Sequence, residues 1–193
     1  MKGILQAGAI VLHPIFLPLY SLFVYWPFVA GLDFWGAGVG LVWIGFVYLI
    51  LPLVYFKMVR HINIAEPSLL HRRSIYRAYS LINFGFALVN VFLLNEYISF
   101  YIGAGFLHLF LWFLVYLELK ASWHAAVWAF LVGSALMMFY KFDFVGMPLL
   151  LLVFLVLAVA VIAIRYLQKA HTPLELAMGA AVGVISSSFI LFF

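Results

Sequence analysis

Arg165 is followed six positions later by His171 and four after that by Glu175, in a chain with only 8% charged residues. On a helix, His171 and Glu175 share a face and the carboxylate reaches one imidazole nitrogen. That contact fixes the tautomer and raises the basicity of the other nitrogen, which makes His171 a candidate nucleophile. Arg165 offers a planar fork of donors matched to phosphate oxygens. Upstream, Lys120, Ser122 and His124 form a second polar group at the edge of an apolar span. His124 is suited to protonate a leaving oxygen as general acid. Ser122, Lys120 and the backbone N–H groups of a helix starting there would complete an anion cradle. Ionisable groups are costly beside lipid, so their concentration at two span boundaries points to a bound anion. Pro173 marks a first helical turn and leaves His171 at the helix entry.

The elements that must hold these groups are membrane spans. The 193 residues are 69% hydrophobic, and 21 Phe, 11 Tyr and 6 Trp suit a lipid-facing exterior with interfacial anchors. There is no cysteine, which excludes disulfides, thiolate metal sites and Cys nucleophiles. A spanning helix needs about 20 mostly apolar residues. Seven stretches qualify, at 7–30, 37–56, 78–94, 99–119, 124–140, 145–164 and 174–193. The third is short and the fifth starts inside a polar motif. The expected architecture is therefore all-α, a polytopic membrane helix bundle of six to seven transmembrane helices, with 1–193 as a single integral membrane domain. Pro14, Pro18 and Pro27 predict a kinked first span. Lys2 before an apolar run resembles a signal peptide, but the run is long and lacks a small-residue cleavage site, so a retained anchor is expected. Residues 57–77 read as a loop with amphipathic turns on the membrane surface, and Gly179 and Gly183 favour close helix packing.

Threading these spans puts nine of the ten Lys and Arg residues on the side of both polar motifs and only Lys141 on the other. The positive-inside rule makes the motif side cytoplasmic, and the expected location is a bacterial inner membrane. The net charge of +4 then reflects topology rather than nucleic-acid binding, since no polar domain carries a basic face. His13, His61 and His71 read as interface histidines bonded to carbonyls or water, and His108 as a satisfied core histidine. Glu118 reads as the partner of a nearby base.

At these residues the sequence resembles the type 2 phosphatidic acid phosphatase superfamily, membrane lipid phosphatases related to vanadium haloperoxidases. The family's third motif, S-R-x5-H-x3-D, is matched by Ile164-Arg165-x5-His171-x3-Glu175. Ala121-Ser122-Trp123-His124 stands where its second motif has P-S-G-H. The resemblance implies a phosphohistidine on His171, oriented by Glu175, with His124 as acid and Arg165 gripping phosphate. It implies no metal or other cofactor. The first motif, K-x6-R-P, has no clean counterpart. Arg72 and Arg73 fall where its Arg would lie, and either is expected to close the pocket; Lys120 is a substitute for the missing Lys. The implied function is a lipid-phosphate phosphatase acting on a phosphatidate, an isoprenyl (di)phosphate or a related lipid phosphate. Its partners are that substrate and membrane lipids. A second reading is a non-catalytic relative that binds lipid head groups or serves as a subunit of a membrane complex, with a membrane-protein partner or a homo-oligomer. A third is a haem-binding anchor using His108 and another intramembrane His.

Overall fold

The computed structural model describes residues 2–21, 45–62, 67–92, 98–142 and 147–192. Pro27 and the expected turns at Asp33, Asn95–Glu96 and Asp143 lie outside these. Seven α-helices are described: α1 (Lys2–Val11), α2 (Leu51–Val54), α3 (Leu69–Phe92), α4 (Ile98–Tyr116), α5 (Trp123–Phe142), α6 (Met147–Leu167) and α7 (Pro173–Ser188). Single-turn π segments, Phe46–Ile50 and Tyr55–Val59, extend α2 at both ends. A 3₁₀ turn, Pro14–Phe16, follows α1, and the expected kink lies at this break.

Among the described residues, four stretches are long and apolar enough to cross a bilayer: Ile98–Tyr116, Trp123–Lys141, Pro148–Leu167 and Pro173–Leu191. Leu5–Ser21 and Phe46–Met58 are shorter apolar helices. The chain is thus an all-α, multi-pass integral membrane protein. Its layers follow from burial: 72% of the α5 span is enclosed, against 17% of the α6 span. The helix α5 is the hub, packed on α7 and α6, while α3 pairs with α4 and α4 with α7. On α6, Leu149, Leu152, Leu155, Val156 and Val159 stay exposed. An apolar surface of that kind suits lipid rather than water.

Residues 69–77 depart from expectation. They form the opening turns of α3 rather than a surface loop. Ile75 and Tyr76 are buried there, and Arg72 and Arg73 donate to carbonyls of neighbouring turns. Cations that satisfy helix-end carbonyls need not face solvent.

The helices α4 and α6 end alike. Glu118 N–H donates to Val115 O at 3.1 Å and Leu119 N–H to Leu114 O at 2.8 Å. Lys169 N–H donates to Tyr166 O at 2.9 Å and Ala170 N–H to Arg165 O at 3.1 Å. Both are Schellman closures. Glu118 (φ 63°) and Lys169 (φ 54°) take the left-handed position that glycine usually fills. Glu118 was expected to pair with a base, yet it is exposed and makes no ion pair among the described residues.

The helices α5 and α7 pass at close range. A Cβ at Gly183 would lie 2.7 Å from Phe130 N and 2.9 Å from Ala129 Cβ, and one at Gly179 would collide with the Ser122 backbone. Gly85, by contrast, has nothing within 4 Å of its missing Cβ. Gly183→Val is therefore expected to destabilise by about 2–3 kcal/mol through overpacking. Gly85→Ala should be neutral or stabilising by up to about 1 kcal/mol. Thermal unfolding in detergent checks both, and equal midpoints for the two variants would refute close packing at Gly183.

Candidate functional site

The contact of α5 with α7 brings the two polar motifs together. Ser122 N–H donates to the Glu175 carbonyl at 2.9 Å, tying the start of α5 to the first turn of α7. Thr172 caps α7: its hydroxyl accepts from Glu175 N–H at 3.2 Å, and Glu175 Oε2 accepts from Thr172 N–H at 3.2 Å. This is a capping box, for which Thr172-x-x-Glu175 is the sequence signal. The same Oε2 lies 2.9 Å from His171 Nδ1. A carboxylate only accepts, so Nδ1 carries the proton and Nε2 holds the lone pair.

His171 is buried, 6% exposed. Burial pushes its pKa down to about 4. The Glu175 hydrogen bond opposes this, while Arg72, Arg165 and Lys120 reinforce it. The ring is neutral at physiological pH and surrounded by cations, an arrangement fit for a nucleophile beside a bound anion.

His171, His124, Arg165 and Arg72 line one small chamber with His13, Tyr76 and Trp123. Its volume is about 20 Å³, room for about one water molecule. Beside it a vestibule of about 730 Å³, bordered by Gln6, His13, His124, Arg165, Gln168 and Lys169, opens between α1 and the end of α6. On the far side of His171, a recess of about 410 Å³ is bordered by Lys120, Lys169 and Glu175.

Each expected residue has a definite place. His124 is buried, with Nε2 3.4 Å from the Ala9 carbonyl, which marks Nε2 as the protonated nitrogen and leaves Nδ1 to exchange protons. Arg165 donates to Gln168 Oε1 at 2.9 Å, and Gln168 donates to Leu5 O at 2.9 Å, so α1 steadies the arginine. Arg72 is held by Pro67 O at 3.2 Å and Ala121 O at 3.4 Å. Lys120 lies 3.6 Å from Glu175 Oε2 and donates to Ala170 O at 3.4 Å, in the recess rather than the chamber. The Ser122 hydroxyl accepts from Ala125 N–H at 3.3 Å and caps α5 behind the site. Arg73 is not brought to the chamber. It donates to Val115 O at 3.3 Å and its guanidinium lies 5.7 Å from the Tyr116 ring centre.

Trp123, where the resembled motif has glycine, turns its indole N–H to His108 Nε2 at 3.3 Å. His108 Nδ1 lies 2.8 Å from Ala104 O, so both ring nitrogens are engaged within the core. Asn83 continues this buried polar chain to Tyr48. His13, read from sequence as an interface histidine, lies in the site. The signal was its place just before Pro14, at a break in an otherwise apolar helix. Among the described residues, no group of three or more His, Asp or Glu side chains is spaced to hold a metal ion. No family model, curated protein or solved structure gives a significant match to the chain.

This geometry separates Arg72 from Arg73. Arg72→Ala should weaken inorganic phosphate binding about tenfold or more, the loss of a charge-assisted hydrogen bond. Arg73→Ala should leave binding unchanged and lower the thermal midpoint, since Val115 O loses a donor. Titration calorimetry and thermal unfolding of the purified variants check the pair. Equal losses of affinity would show general surface charge at work rather than a site.

Proposed function

We propose that this protein is an integral membrane lipid-phosphate phosphatase of the type 2 phosphatidic acid phosphatase kind. One observation carries the reading: His171, held by Glu175, lines a chamber that His124, Arg165 and Arg72 also line. In this reading His171 Nε2 attacks phosphorus while Arg72 and Arg165 neutralise the equatorial oxygens. The bond to the lipid oxygen breaks, and His124, which enters this step as the imidazolium, gives its Nδ1 proton to that oxygen. Water then attacks the phosphohistidine, giving its proton to His124, and inorganic phosphate and free His171 are released. The substrate class is a phosphatidate, an isoprenyl (di)phosphate or a related lipid phosphate. Membrane residence and a chamber that adjoins a half-apolar vestibule support a lipid rather than a soluble ester.

The two shorter apolar helices and α3 join the four long spans to give six or seven crossings. The bias of basic residues supports a cytoplasmic site in a bacterial inner membrane.

One observation favours the second reading, a non-catalytic relative that binds lipid head groups or serves a membrane complex. The chamber is smaller than a phosphoryl group, so turnover requires it to open onto the vestibule. Phosphate release from a panel of lipid phosphates in detergent decides. Wild type should release phosphate and His171→Ala should not. His124→Ala should be rescued in part by a nitrophenyl phosphate, whose leaving group needs no proton. Binding without release by wild type would establish the non-catalytic reading.

The pH profile gives a separate check. The His171 pKa is lowered, so its neutral form persists as pH falls and is lost only through about 4. The acid limb of kcat/KM, which reports the free enzyme, should lie near that value rather than near 6.5.

A further inference from the structure

Resting on that reading and extending it, we infer that His13 is a phosphate-binding residue, presenting a neutral Nε2–H donor to phosphoryl oxygens where the vestibule meets the chamber. His13 borders both cavities. Its ring stands edge-on to His124 with centroids 5.1 Å apart, and edge-on to Trp123 at 5.6 Å. Two hydrogen bonds from α5 flank it and press this stretch of chain against the site. His124 reaches Ala9 O, and Trp128 Nε1 donates to Leu12 O at 3.0 Å.

The tautomer follows from the backbone. Ile15 N–H, at the 3₁₀ turn opened by Pro14, lies 3.2 Å from His13 Nδ1. An amide N–H only donates, so Nδ1 must accept and the proton of the neutral ring sits on Nε2. Ile15 N–H is the one hydrogen-bond partner of this ring among the described residues, which leaves Nε2–H for whatever the two cavities hold. Arg72 and Arg165 supply charge to the chamber, from α3 and α6. A neutral donor on a third element adds direction without further positive charge, which suits an oxyanion with several acceptor oxygens.

The competing role is a mere cap for the 3₁₀ turn, and the substitutions separate the two. Asn at this position can still accept from Ile15 N–H, being a good capping residue, but its amide is too short to replace Nε2–H. Gln places its amide nitrogen close to where Nε2 lies. Inorganic phosphate is titrated calorimetrically into the full chain in detergent, with the thermal midpoint read alongside. His13→Asn and His13→Ala should each bind phosphate about tenfold more weakly, with the midpoint of His13→Asn unchanged. His13→Gln should retain most of the affinity. If wild type binds phosphate and His13→Asn binds it equally well, His13 is only a cap and this inference falls alone. If folded wild type binds no phosphate, this inference and the phosphatase reading fall together.

Discussion

The distance at which α5 and α7 pass each other governs the rest of the site. Gly179 and Gly183 let the backbones meet where a single Cβ would intervene. Only at that distance can Ser122 N–H, which has no partner within its own helix, reach the Glu175 carbonyl in the first turn of α7. The small-residue stripe is therefore more than packing. It sets the register between the polar segment that carries His124 and the one that carries His171.

Glu175 then integrates the local demands. It belongs to the capping box that starts α7, it fixes the tautomer of His171, and it is the counter-ion of Lys120. Because one oxygen accepts from both Thr172 N–H and His171 Nδ1, helix initiation and imidazole orientation are a single event. The imidazole is held by the rigid end of a helix rather than by a loose loop. The opposite wall is assembled differently. Arg165 donates to Gln168 and, through it, is braced by the α1 backbone, so the least enclosed of the four long spans carries a site residue whose end α1 supports.

Composition and apolar run lengths made the all-α membrane architecture legible, and the His171–Glu175 contact was legible from an interval of four. These depend on helical periodicity, which is local. What escaped sequence reading depends on where side chains point after packing. Arg72 and Arg73 are adjacent, yet neighbouring helix positions diverge by about 100°. One faces the chamber and the other the end of α4. Residues 69–77 looked like a loop because their charge was counted as solvated, when Arg72 and Arg73 in fact satisfy carbonyls. His13 looked solitary because its neighbours, His124 and Trp123, are supplied by α5 from the far half of the chain.

Glu118 and Lys169 occupy left-handed positions at the two turns that deliver the site. A side chain there costs about 1 kcal/mol relative to glycine. The chain thus forgoes stability at two equivalent corners, and Lys169 borders both the vestibule and the recess. Glycine at 169 would make a sturdier protein with a less cationic mouth. That corner is a point where ruggedness and positive charge at the mouth trade against each other, and thermostability engineering that corrected it would remove a cation from the border of both cavities at the same stroke.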